Sequence, residues 1–176
     1  HNAIETLMML LRTAITGVTE EATLPDIDWM AVLEAATDQG VKGLAWQGAE
    51  LLLKAGKAQM SLDDKLEWFG HVRNTETEAH RLYNVATEFA ARLQPCRCVV
   101  LKGFDYARYW PNPWHREYGD LDCWCAGAFD ESNAKAREIG ASVEDGGYKH
   151  THITYNDLAV ENHCYFTDFN GTQQGR

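Results

Sequence analysis

The chain has 176 residues, 45% of them hydrophobic, and a formal net charge of −10. That length and apolar content are enough to bury a substantial core, and the acidic balance argues against a non-specific nucleic-acid binder, which presents a basic face. No run reaches the ~20 apolar residues of a membrane helix. The opening Leu7-Met8-Met9-Leu10-Leu11 is short, lacks a basic leader and is followed by Arg12, so a cytoplasmic protein without a signal peptide is expected.

The first half predicts helices. Ile4, Leu7, Met8, Leu11, Ile15 and Val18 recur at helical spacing, with Gly17 near the stop. A second helix is expected from Pro25-Asp26 to Gly40, carrying Trp29, Met30, Leu33 and Ala36. A third runs from about Val41 to Lys54. Ser61-Leu62-Asp63-Asp64 resembles a capping box that opens a long helix to about Leu93. Its apolar positions (Leu66, Phe69, Val72, Leu82, Val85 and Phe89) thin out around 74–78, where a kink or a division into two helices is expected. Trp29, Trp46 and Trp68 belong to packing rather than to a ligand platform.

After Pro95 the pattern changes. Val99-Val100-Leu101 predicts a short strand, Gly103 punctuates it, and Phe104 to Trp110 predicts one or two helical turns. Pro111-Asn112-Pro113 turns the chain into a second strand holding Gly119-Asp120-Leu121-Asp122-Cys123-Trp124. Asp130 to Asn133 caps a short helix through Glu138, and Ala141 to Glu144 is a brief strand. Tyr148 to Tyr155 and Leu158 to Phe166 predict a hairpin about Asn156-Asp157.

The pair Asp120 and Asp122 carries the chemistry. On a strand, residues i and i+2 share a face and lie roughly 6 to 7 Å apart. Two such acids repel unless something positive stands between them, and a divalent cation is the natural occupant. Upstream, strand, Lys102, Gly103 and a helix start make an anion site, in which the glycine admits phosphate oxygens to the backbone and Lys102 adds a charge. Lys102, Arg108, His115 and Arg116 are expected to gather around the acid pair as a basic patch suited to a triphosphate.

The run Leu101-Lys102-Gly103, Tyr109-Trp110-Pro111, Arg116, then Gly119-Asp120-Leu121-Asp122 resembles the signature of the uncharacterised bacterial nucleotidyltransferase family in the DNA polymerase beta-like superfamily. The resemblance covers about residues 95–166 in detail and the helical half loosely. It implies an α+β fold, with an N-terminal helical region (1–94) packed on a small mixed sheet with flanking helices (95–176), and further helices beyond. A third acid should lie on a following strand, and Glu161 supplies it, returned by the hairpin toward the sheet centre. The implied activity is transfer of an NMP group from an NTP, with ATP the expected donor, to a hydroxyl acceptor the sequence does not identify. Asp120, Asp122 and Glu161 are then the metal ligands and catalytic residues, with Mg²⁺ or Mn²⁺ the cofactor. Lys102, Gly103, Arg116 and Gly119 are the nucleotide-binding residues.

Two other readings come from the same residues. The bulky Phe104 after the glycine, and Asn162 at an apolar position beside Glu161, suit a catalytically silent partner-binding module of the same fold. Cys96-x-Cys98, Cys123-x-Cys125, His150-x-His152 and His163-Cys164 invite a zinc protein. Zinc pairs usually leave two or more residues between cysteines, so reduced, packed thiols are the preferred reading.

Overall fold

The computed structural model describes residues 2–19 and 26–166. The chain is mixed α+β and divides into two compact units: residues 1–80 with 107–117, and residues 81–106 with 118–176. No helix among the described residues is long and apolar enough to cross a membrane.

The first unit is helical. Helix α1 (Ala3–Thr16) opens on an Asn2–Glu5 capping box and closes at Gly17 in the left-handed conformation. Helix α2 (Trp29–Asp38) starts later than its sequence suggests. Asp28 accepts a hydrogen bond from the Ala31 amide at 3.1 Å and so caps it, whereas Asp26 lies in a bend at φ 49°; Pro25 lies outside the described residues. Helix α3 (Lys42–Lys54) follows. Leu7, Leu10, Trp29, Val32, Leu33, Leu52 and Trp68 form the core these helices share. Helices α1 and α3 cross closely at Gly48, where any Cβ would run into the Leu10 carbonyl. Gly48→Ala is therefore expected to lower stability by about 1–3 kcal/mol, because the backbones must separate; an unshifted urea midpoint would contradict this contact.

Helix α4 (Leu62–Arg92) is one continuous helix of 31 residues through the stretch where a break was expected. Ser61 Oγ accepts from the Asp64 amide at 3.0 Å and donates to its carboxylate at 2.6 Å, forming the N-terminal cap. Its buried stripe includes Val72, Leu82 and Phe89 as expected but departs from expectation in the first turns. Leu66 and Phe69 face solvent while Trp68 is fully buried, because only one face of a helix meets a core.

The second unit is built on a five-stranded mixed sheet: β1 (Cys98–Val100), β2 (Leu121–Cys125), β3 (Ser142–Asp145), β4 (His150–Tyr155) and β5 (Leu158–His163), in spatial order β1-β2-β5-β4-β3. Strands β2 and β5 are parallel; the other neighbours are antiparallel. A one-turn helix α5 (Phe104–Ala107) follows β1, and α6 (Phe129–Glu138) follows β2. Helix α6 has no side-chain cap; it starts from Ala128, so the expected cap by Asp130 to Asn133 does not form. The predicted hairpin is present, with Asn156 and Asp157 both at positive φ, 47° and 63°, as a two-residue turn between twisted strands requires.

Strand alternation sorts the side chains. Leu121, Cys123, Cys125, Ile153, Tyr155, Leu158 and Val160 line a core with Phe89, Leu93 and Ala136. Asp122, Glu161, His163, His150 and His152 fall on the opposite face, one residue out of step.

Candidate active site

Register decides which of these polar residues meet. Asp122 is the cross-strand partner of Glu161, and Glu161 is the partner of His152. One step along, Trp124 partners His163, and His163 partners His150. Directly opposed residues on one face are near neighbours, so two rows of side chains cross the open face at its central strands. Glu161 sits on β5, the middle strand, as expected from the hairpin.

Asp122 is the most constrained of these groups, with its carboxylate buried. Its Oδ1 lies 2.9 Å from His163 Nε2. Its Oδ2 is buried against the Lys102 ammonium, 2.7 Å away. The same ammonium lies 4.0 Å from Asp120 Oδ1. Lys102 therefore takes the place between the two acids that electrostatics requires something positive to fill. This contact with Asp122 outweighs the opposing effect of burial and holds Lys102 above the usual lysine range, with Asp120 and Glu161 adding in the same direction. The ammonium stays charged whenever the site is.

Asp120 and Asp122 are not equivalent. Asp122 lies within β2, where one of its oxygens, a Glu161 oxygen and a His163 nitrogen all fall within 4.8 Å of one another. Asp120 precedes the strand, with its side chain 44% exposed, and is outside that cluster. Glu161 reaches His163 Nε2 with Oε2 at 3.5 Å, and His150 and His152 with Oε1 at 3.8 Å each. Beside Asp122 and His163 opens a cavity of about 370 Å³, also lined by Leu101, Lys102 and Tyr106.

The residues expected on the phosphate side divide between the units. Gly103 has φ +99°, a conformation glycine adopts readily, and a Cβ there would only touch Asp120 and Leu121. Gly119 is open to solvent-sized space on its Cβ side. Arg116 follows the 3₁₀ turn Pro113–His115 and belongs to the first unit. His115, expected in a basic patch, is instead buried and bonded to Glu76 at 2.9 Å in that unit. Arg108 bonds the Tyr109 hydroxyl at 2.9 Å.

The two residues that suggested a silent module have structural employment. Phe104 packs its ring 4.2 Å from Tyr118 and edge-on to Tyr83 at 5.5 Å. Asn162 is buried on the core face. It donates to Ser132 Oγ at 2.9 Å and Asn133 Oδ1 at 3.0 Å, and Asn133 Oδ1 also accepts from Thr151 at 2.7 Å. A buried amide is tolerated where its hydrogen bonds are made. Cys98, Cys123 and Cys125 bring their sulfurs within 4.8 Å on that same core face. The Cys123 thiol donates toward Cys125 and Cys98, and these hydrogen bonds together with burial push it up.

His163 is the residue that sequence reasoning did not place in the site. The available signal was its spacing of two from Glu161 on a strand, which sets both on one face.

A buried acceptor oxygen on Asp122, a second carboxylate across one strand spacing and an adjoining cavity fit a divalent cation. Comparison with curated proteins and with solved structures returns no match. A family model described as an uncharacterised nucleotidyltransferase matches residues 25–174, which takes in every site residue above. With its mixed α+β fold and an acidic centre on the open face of the sheet, the chain belongs to this uncharacterised nucleotidyltransferase family.

Proposed function

We propose that the chain transfers a nucleoside monophosphate from a nucleoside triphosphate, ATP in the first instance, to a hydroxyl acceptor, using Mg²⁺ or Mn²⁺ held by Asp120, Asp122 and Glu161. The observation that carries this reading is the pairing of Asp122 with Glu161 across parallel strands, with Lys102 against the first acid. A bound divalent ion supplies charge neutralisation for the phosphates and alignment for in-line attack.

The chain's own residues do the rest. Asp122 and Glu161 present oxygens from paired strands, and Asp120, half exposed just before β2, adds a third carboxylate. Asp120, Asp122 and Glu161 would hold a cation that supplies the charge Lys102 now places against the acids, and the Lys102 ammonium would then serve the phosphates. Gly103 and Gly119 leave the backbone bare for phosphate oxygens. As the acceptor oxygen bonds to the α-phosphorus and the bond to pyrophosphate breaks, the acceptor proton passes to a carboxylate, Glu161 in this assignment. His163, 2.9 Å from Asp122, fixes that acid's orientation.

Calorimetric titration with Mg-ATP tests the reading. Lys102→Met is expected to weaken binding about tenfold, the equivalent of roughly 1.4 kcal/mol for one lost charge-assisted contact. Absence of binding by any common nucleoside triphosphate would sink the proposal.

A further inference from the structure

Two histidines on the open face of the sheet, His150 and His152, belong to no step above, and they share one oxygen of Glu161. His150 Nε2 and His152 Nδ1 each lie 3.8 Å from Glu161 Oε1. Their rings are 4.7 Å apart and nearly perpendicular, so the two nitrogens approach the oxygen from different directions. In a tetrahedral zinc site, with ligands 2.0–2.1 Å from the ion, donor atoms stand about 3.3–3.4 Å apart. The two histidine–carboxylate separations are thus a few tenths of an ångström wider than in a loaded site, and all three donors lie within 4.8 Å of one another.

Two further features hold this arrangement. Gly146 lies against the His150 ring, and a Cβ there would come within 2.6 Å of His150 Cδ2 and of its carbonyl oxygen. Only glycine leaves that imidazole where it is. The other oxygen of Glu161, Oε2, faces His163 at 3.5 Å, and His163 is anchored on Asp122. Ligating carboxylates are characteristically fixed in this way by a second layer of contacts.

We propose that His150, His152 and Glu161 bind a transition-metal ion of the zinc class, at a site separate from the magnesium centre and touching it through Glu161. The chemistry of the donors separates the two ions. Imidazole nitrogens favour zinc and its neighbours, while magnesium demands oxygen. The Asp122 end of Glu161 offers carboxylates; the His150 end offers two nitrogens. Three protein ligands leave a fourth position open, the pattern of a zinc ion that meets a water or a substrate oxygen rather than one that only braces the fold. The open position faces the surface of the sheet, where His152 is itself half exposed.

Titration of the purified full chain with Zn²⁺, against a chromophoric competitor, tests this directly. One equivalent is expected to bind tightly, with affinity falling about 10- to 100-fold in His152→Ala and in His150→Ala. Because the His152 side chain is half exposed, its variant is expected to melt like the parent without metal, which separates lost ligation from lost folding. Cys98→Ser is expected to leave the affinity unchanged. No stoichiometric uptake, unaltered affinity in His152→Ala, or loss of uptake in Cys98→Ser would each overturn the assignment, the last by placing the ion among the thiols. The readout needs no nucleotide: zinc uptake without Mg-ATP binding would remove the transferase reading and leave this one standing.

Discussion

Asp122→Asn is expected to reduce nucleotide transfer by at least about 100-fold, comparable to removing a preorganised electrostatic group from a transition state. The substitution keeps the shape and removes the charge. It also turns an acceptor into a donor beside the Lys102 ammonium, which lies 2.7 Å from Oδ2. The cation site loses its most buried oxygen, and Lys102 loses the partner that holds its charge in place. Asp120→Asn should cost markedly less, because Asp120 is half exposed and stands outside the cluster of Asp122, Glu161 and His163. Pyrophosphate release and Mg-ATP calorimetry on both variants measure the difference. Equal losses would mean that the two acids act symmetrically, against the geometry; full activity in Asp122→Asn would remove the carboxylate centre from the mechanism.

Trp68→Ala is expected to destabilise the helical unit by about 3–5 kcal/mol, the range for emptying a large aromatic site. Trp68 is fully buried. Its ring stacks on Trp46 at 6.0 Å and meets Trp29 edge-on at 6.3 Å, and its indole nitrogen donates to the Trp29 carbonyl at 3.0 Å. The alanine variant loses the packing and that hydrogen bond together. Trp68→Phe keeps most of the apolar volume and should recover more than half of the loss. Denaturation followed by far-ultraviolet circular dichroism gives both values. A loss below about 1 kcal/mol in Trp68→Ala would show that neighbouring side chains collapse into the space.

Much of the fold was legible in the sequence. A capping box at Ser61, a punctuating Gly103 and an Asn-Asp turn are local signals, and the elements they mark are present. The turn even contained information that was not drawn out. Counting back from Asn156-Asp157 pairs His152 with Glu161 and His150 with His163, the register observed. Long-range choices were less legible. The expected patch of Lys102, Arg108, His115 and Arg116 treated closeness in sequence as closeness in space, yet His115 turns to Glu76, 39 residues away. Leu66 and Phe69 had the right spacing for a core face, but which stripe of a long helix is covered depends on what packs there.

The residues by themselves determined the chemistry on offer: an acid pair one residue apart, a lysine-glycine step before it, and a third acid beyond a tight turn. These follow from local propensity and strand periodicity, which need only near neighbours. Tertiary structure alone decided how those groups are divided. Parallel pairing of β2 with β5 set Asp122 against Glu161, left Asp120 at the mouth, put the Lys102 ammonium between the acids and drew His163 into the centre. Strand register and charge balance are properties of segments far apart in the chain, so they exist only once the sheet has formed.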